Sequence, residues 1–401
     1  MNSINNDINQ KKILDRNKFI IFLVSFSVPM GAHLVSPALP VIMLDLGIRE
    51  EAISLFNVFF TLAGIIVLPF IGVMSDRFSN KKILVVSLFS YGISGFLCSF
   101  INNFSLLLML RFIQGMSVAY ITVINLIMIS DLFEGKLLIK VLGINTSFLQ
   151  LGGVVWPAIG GLVSESDWHT VFYFFIIPIF TALIVKFNLP AYKNDKKGNN
   201  RSTKYFSKTI SIIKDRKEIK SLFIITIISY LIFYGCYVTY FPVYINKVLK
   251  ISAIFIGFSM SAMRITALFV SSQIDKLKEK ISFKWLFIIS ILLYILSLIS
   301  MLLIFNREFI LIPSIIWGVA HGIFLPCSHI FMIMAAPVAH KGGIISSGRF
   351  FTRLGQTIGP IMMAGILYYF DLRAIFYVGI FIWSIFLVFI LFKRLRFTID
   401  N

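Results

Sequence analysis

Carboxylates are the scarce charge in this chain: 401 residues carry 18 Asp and Glu against 37 Lys and Arg. All the acids fall in loops, tails or near the ends of apolar blocks, Asp45 and Asp131 coming closest to a block. With no clustered acids and no HExxH run, a catalytic centre has no material, and the chain is not read as an enzyme. No G-x-x-x-x-G-K-[ST] occurs and no polar region is long enough for an ATPase domain, which excludes a nucleotide-driven pump. Cysteine is rare too. Cys98, Cys236 and Cys327 sit in separate apolar blocks without CxxC spacing, so neither a disulfide framework, a metal site nor any other cofactor is expected.

What the chain has is apolar length. Hydrophobic residues make up 58% and charged residues 14%, and the mean hydropathy is +0.89. Soluble domains run at about 45–50% apolar and about 25% charged, so lipid is the solvent this composition fits. A spanning helix needs about 20 apolar residues. Twelve blocks qualify: 19–44, 51–75, 83–101, 106–131, 141–163, 170–188, 221–245, 253–274, 284–305, 310–335, 344–370 and 374–392. The first is too long for a signal h-region, lacks a small-residue cleavage pattern and is followed by eleven more, so nothing is expected to be removed.

The formal net charge of +19 suits nucleic acid or an anionic surface, but its distribution reports topology. With the N-terminus in the cytoplasm, the inner segments hold 27 Lys and Arg, and the outer loops hold five: Arg49, Lys247, Lys250, Arg307 and Arg373. The positive-inside rule selects that orientation, with both termini cytoplasmic in the plasma membrane and no nucleic-acid partner.

Between the sixth and seventh blocks lies a polar, lysine-rich stretch containing KNDKKGNNRSTK. It divides the chain into a bundle over 1–189, a cytoplasmic linker over 190–220 and a second bundle over 221–401. Weak repetition supports the division. An offset near 200 aligns Asp76-Arg77 with Asp275-Lys276; a slightly larger one aligns Gly152-x-x-x-Trp156-Pro157 with Gly355-x-x-x-Gly359-Pro360, and Pro40-Val41 with Pro242-Val243. Two related bundles allow a transporter to rock about a midplane site.

Residues 143–161 read GINTSFLQLGGVVWPAIGG, with five glycines around Pro157. Lipid offers no hydrogen bonds, so such a helix belongs against neighbouring helices.

Three motifs carry a resemblance. Gly72, Asp76, Arg77 and Lys81 in GVMSDRFSNKK resemble the cytoplasmic signature G-x-L-a-D-r-x-G-r-k of the major facilitator superfamily, with Ser79 and Asn80 departing from it. Arg111-x-x-Gln114-Gly115 resembles its R-x-x-q-G motif. Gly143-x8-Gly152-x3-Trp156-Pro157-x2-Gly160-Gly161 resembles the fifth-helix signature of the drug:proton antiporters, with Trp156 replacing one glycine, and Pro37-Ala38-Leu39-Pro40 resembles their P-x-x-P. The resemblance covers nearly the whole chain. It implies an all-α integral membrane fold of twelve transmembrane helices in two pseudo-symmetric six-helix bundles, working as a monomer. It also implies secondary, proton-coupled export of a small molecule, with Asp76 and Arg77 in an inner latch between the halves. Positive-inside anchoring with a helix-capping Asp explains the same charges without a latch.

Basic groups, unlike acids, do enter the apolar blocks: Arg111, Arg264, Arg349, Arg353, His33, His321 and His329. Intramembrane ionisable residues face the interior or water and mark function. In the superfamily the first, fourth, seventh and tenth helices line the cavity and the second, fifth, eighth and eleventh flank it, so the resemblance implies that Arg111, Arg264, Arg353, His33 and His321 share one positive cavity. That favours an anionic or zwitterionic solute clamped by bidentate arginines, as a carboxylate-rich chelator would be; the chain also resembles the staphylopine-type metallophore exporters. Pairing of these arginines with helix-end carbonyls, or snorkelling of Arg111 from a position near the outer end of its helix, explains them without a substrate. His33 and His321 titrate near neutrality and are the candidate proton carriers, with Asp131 in reserve; neutral core hydrogen-bonders explain the histidines equally. Tyr230, Tyr234 and Tyr237 share a helical face and are candidates to line the cavity. Multidrug efflux and, from a different class, a passive facilitator or channel stay open as alternatives.

Overall fold

The computed structural model describes residues 2–190, 211–213, 215–304, 306–335, 337 and 341–392; most of the expected linker lies outside the described residues. The apolar blocks form helices because lipid leaves backbone polar groups no partner except their own turn. Eleven described helices are long and apolar enough to span a membrane: α1 Leu14–Asp45, α2 Glu50–Arg77, α3 Asn80–Phe100, α4 Phe104–Leu132, α5 Gly135–Ser164, α6 His169–Asn188, α7 Ile219–Leu249, α8 Ala253–Ser272, α9 Phe283–Leu302, α10 Arg307–Met332 and α12 Leu372–Leu391. The remaining helix, α11, runs Lys341–Tyr369 and carries Arg349 and Arg353. No strand occurs among the described residues.

The packing repeats after six helices. Within the first half α2 packs on α4, α3 on α4 and α6, and α1 on α5; within the second α8 packs on α10, α9 on α10 and α12, and α7 on α11. Between the halves α5 packs on α8 and α11 on α2. Glycine permits the close approaches. A Cβ on Gly160 would overlap the Leu34 carbonyl of α1, and one on Gly359 would overlap the Leu231 carbonyl of α7. Both first helices also widen into a π-helix, Met30–Leu34 in α1 and Phe233–Tyr240 in α7.

The halves meet at one end and part at the other. One large apolar core runs through both halves, but the two smaller cores are each confined to one: Ile21, Phe22, Ile129, Phe133 and Val141 in the first half, Ile219, Leu222, Phe223, Phe331, Met332 and Ile344 in the second. These separate cores lie at the face where α1 begins and α12 ends, here called the lower face. Polar contacts between halves crowd toward the upper face. There Ser36 donates to the Val238 carbonyl, Asn57 Nδ2 to Thr239 Oγ1 at 2.9 Å, Ser261 Oγ to the Val154 carbonyl at 2.6 Å, and Lys247 pairs with Glu50. The deepest, at mid-span, are Thr357–Thr61 at 2.8 Å and Arg264–His33 at 2.9 Å. Asp76 and Arg77, expected in a latch at the lower face, are exposed and form no ion pair among the described residues.

A partly exposed ion pair is worth at most about 1 kcal/mol, a factor of about five. Glu50→Gln is therefore expected to raise, up to about fivefold, the rate at which an impermeant maleimide labels a Ser36→Cys variant from the upper face. Unchanged labelling would show that the seal rests on its apolar and glycine contacts alone.

Candidate functional site

A proline opens the site. Pro29 has no N–H to offer the preceding turn, and α1 continues past it as the π-turn that carries His33. Alpha-helical spacing would put Tyr230, Tyr234 and Tyr237 on one face, but the π-helix starting at Phe233 changes the phase of α7. Tyr230 and Tyr234 line the cavity between the halves. Tyr237 is turned into the second half, fully buried, with its hydroxyl on Ser314 Oγ at 2.7 Å. The expectation for Tyr237 is corrected accordingly.

The cavity has a volume of about 370 Å3, within the about 300–1,000 Å3 usual for small-molecule sites. From the second half it is lined by Arg264 on α8, His321 and His329 on α10, and Arg349, Arg353 and Gln356 on α11. From the first half come His33, Phe60, Thr122, Gln150 and Gly153. No Asp or Glu lines it among the described residues.

The arginines keep donors in hand. Arg264 Nη2 stands 2.9 Å from His33 Nε2; a guanidinium only donates, so His33 accepts there and its ring is neutral with the proton on Nδ1. The Arg264 guanidinium lies 5.3 Å from the centre of the Phe233 ring, and its Nε is buried without a partner. Among the described residues Arg353 donates one hydrogen bond, to Gln356 Oε1 at 3.2 Å. Arg349 makes no hydrogen bond or ion pair among the described residues. Each guanidinium has five N–H donors, so most of them have no protein acceptor among the described residues. His321 Nδ1 pairs with the Tyr294 hydroxyl at 2.9 Å, and its ring stacks on Phe233 at 4.9 Å.

Arg111 is expected in this group but lies behind its wall. It is fully buried, so it does not snorkel. Its guanidinium is sandwiched between Phe56 and Phe60, with centroids at 4.8 and 4.5 Å. Nη2 donates to the Gly31 carbonyl at 2.6 Å, Nη1 to Gln114 Oε1 at 2.8 Å and Nε to the Phe56 carbonyl at 3.4 Å. Its acceptors are protein atoms, and it fixes the π-turn of α1 instead of touching the cavity. Asp131 also lies apart, at the lower end of α4, accepting from Asn80 Nδ2 at 3.2 Å while Asn80 accepts from Ser75.

The glycine stretch of α5 serves two contacts. Gly152 and Gly160 admit the Phe26 and Leu34 carbonyls of α1, while Gly161 and the Pro157 carbonyl meet Ala253 and Gly257 of α8. Gly153 faces the Arg264 side chain, which would stand 3.5 Å from a Cβ there. Gly143 and Gly72 are exposed with no neighbour within 4 Å of a Cβ, and Lys81 is half-buried. Trp156 is 2% exposed and fits because its indole N–H donates to the Phe26 carbonyl at 2.8 Å while its ring packs 4.9 Å from that of Phe26.

Arg349, His329 and Gln356 are cavity residues that the motifs did not single out. A usable signal existed for Arg349, since it stands one helical turn before Arg353 and shares its face.

Arg111→Gln would leave buried carbonyls unpaired at about 1–3 kcal/mol each. A lower thermal midpoint is expected, with anion affinity of the folded protein changed less than twofold; a large loss of affinity at an unchanged midpoint would place Arg111 in the site after all. Trp156→Phe is expected to lower the midpoint by the same orphaning of the Phe26 carbonyl, whereas an unchanged midpoint would make that hydrogen bond dispensable.

A family model described as Major Facilitator Superfamily matches residues 21–281. The quinolone resistance protein NorA of Staphylococcus aureus is 29% identical over 161 residues, 40% of this chain and 42% of that protein, so the match spans about two fifths of the relative's length. An uncharacterized MFS-type transporter of Methanocaldococcus jannaschii, MJ1560, is 27% identical over 293 residues, 71% of this chain and 75% of that protein. The nucleoside transporter NupG, in a mutant form, superimposes with a TM-score of 0.80 at 14% identity, over 95% of this chain and 100% of NupG. With its multi-pass helical fold and central cavity, the chain belongs to the major facilitator superfamily.

Proposed function

We propose that the cavity carries a small anionic or zwitterionic organic solute, such as a metallophore, out of the cell across the plasma membrane. One observation supports this above others: three guanidinium groups line one cavity, and among the described residues no carboxylate does. A buried charge left unpaired costs several kcal/mol. A solute carboxylate offers the bidentate acceptor these donors lack. A lipophilic cation, by contrast, would meet only like charge.

Direction rests on two supports. With the lower face in the cytoplasm, as the 27-to-5 charge distribution favours, the parted halves open the cavity toward cytoplasmic solute. The resemblance of the α5 stretch to an exporter signature agrees. Energy is available without an exchanged ion, because an anion leaving an inside-negative cell gains about 2.3 kcal/mol per charge per 100 mV.

Proton coupling belongs to the same reading through His33 and His321, and the cavity's chemistry gives it a sign. Protonating His33 removes the acceptor for Arg264, freeing that guanidinium, and adds positive charge. Proton and anion therefore favour each other's binding, which is the sign of outward co-transport, so the energy for uphill export comes from the membrane potential acting on the solute's remaining negative charge. The groups facing His33 are Arg264, His321, Arg353, Tyr230 and Tyr234 around the cavity, with Arg111 on the Gly31 carbonyl of its own turn.

A second reading, export of amphipathic drugs, draws on the likeness to NorA and on the aromatic wall of Phe60, Phe233, Tyr230 and Tyr234. A deletion strain separates the two. Retention of one anionic metabolite with unchanged dye resistance selects the first reading, and lost dye resistance alone selects the second. A change in uphill efflux on collapsing the pH gradient alone, at constant membrane potential, distinguishes either from a passive facilitator.

Arg264→Ala and Arg353→Ala are each expected to lower export of an anionic solute about ten- to hundredfold, the worth of a charge-assisted hydrogen bond; unchanged export would sink the anionic reading. Binding of ethane-1,2-disulfonate, whose charge is fixed between pH 4 and 7, is expected to tighten as pH falls across that range and to lose most of this dependence in His33→Gln. Tighter binding at high pH would reverse the coupling sign.

A further inference from the structure

A second cavity of about 270 Å3 opens inside the second half, between α7, α10 and α11. It shares Tyr230, His329, Arg349 and Thr352 with the main cavity. Arg349 stands where the two meet, while Arg353 lines the main cavity only. The two arginines are four residues apart on one helix face, an arrangement of like charges that costs stability when nothing neutralises it. Among the described residues no carboxylate lines either cavity.

We propose that this side pocket is a second anion subsite anchored by Arg349, so that the transported solute carries two acidic groups held one helical turn, about 6 Å, apart. The inference rests on the anionic reading of the main cavity and narrows it. One acidic group sits between Arg264 and Arg353, and the other turns past Arg349 into the pocket. The pocket walls describe the arm that enters. Phe324, Leu325 and Met332 make them partly apolar. Thr226 and Ser328 commit their hydroxyl protons to the Leu222 and Phe324 carbonyls, both at 2.8 Å, and so offer the pocket lone pairs only. An arm bearing an N–H or O–H group beside its acid fits that surface better than a bare hydrocarbon chain. Gly348 helps form the space. A Cβ there would approach the Met332 thioether to 3.0 Å, and a longer side chain would fill the pocket.

The test uses linear dicarboxylates from malonate to suberate, with hexanoate as the single-acid control, titrated calorimetrically into the full-length protein in nanodiscs at constant pH. Affinity is expected to peak at the spacing of adipate, at least tenfold tighter than hexanoate. Arg349→Gln is expected to reduce adipate affinity to that of hexanoate measured in the same variant. Gly348→Leu, which changes no charge, is expected to abolish the preference for the longer diacids in the same way. The proposal is overturned if there is no spacing optimum, or if the adipate preference survives in either variant whose thermal midpoint matches the parent. If neither hexanoate nor any diacid binds the parent protein, or if Arg264→Ala and Arg353→Ala leave hexanoate binding unchanged, the anionic reading itself fails.

Discussion

A guanidinium in a membrane protein cannot shed its charge, and the consequences of that constraint run through the whole fold. Each intramembrane arginine must find acceptors or water. Arg111 takes the first solution. Its carbonyl acceptors on α1 and α2, with Gln114 beside it, make it the tie holding three helices of the first half around a widened turn. Arg264, Arg349 and Arg353 find far fewer acceptors, and they are the ones that surround open space. Satisfied charge builds the scaffold, and unsatisfied charge marks the site.

The repeat explains how so much positive charge fits beside close-packed helices. Arg264 lies against Gly153 of α5, and Arg353 lies against Gly64 of α2. In both crossings between halves, a glycine of the first half gives room to an arginine of the second. All three cavity arginines therefore belong to the second half, and the first half contributes His33, Thr122 and Gln150. The architecture is symmetric, but its electrostatics are not.

Much of this was legible in the sequence. Twelve apolar blocks, the six-plus-six repeat and the glycine stretch of α5 follow from periodicity and composition, which report local constraints. The basic groups at mid-helix also announced a positive interior. Phase was harder to read. A π-turn has no dependable sequence signature, so Tyr237 appeared to share a face with Tyr230 and Tyr234 although its side chain turns toward Ser314. Depth along a helix says nothing about rotation around it, which is why Arg111 could be placed inside but not behind Phe60. Trp156 read as a flaw in a glycine motif, because only coordinates reveal that its N–H meets a backbone carbonyl of α1.

The distribution of contacts bears on how the carrier moves. At the upper face the halves share one apolar core and several backbone-close glycine contacts; at the lower face each half keeps a core of its own. Closing the lower face thus need not break either lower core, and rigid rocking about the mid-span contacts is sufficient. Those contacts include Arg264 with His33, the one hydrogen bond between a cavity cation and the opposite half among the described residues. In the anionic reading proposed above, a solute acid on Arg264 and Arg353 would lower the charge that the second half must carry into the narrowing gap. The cost of burying that charge would then be greatest with the cavity empty and would fall on binding, so occupancy itself would favour closure.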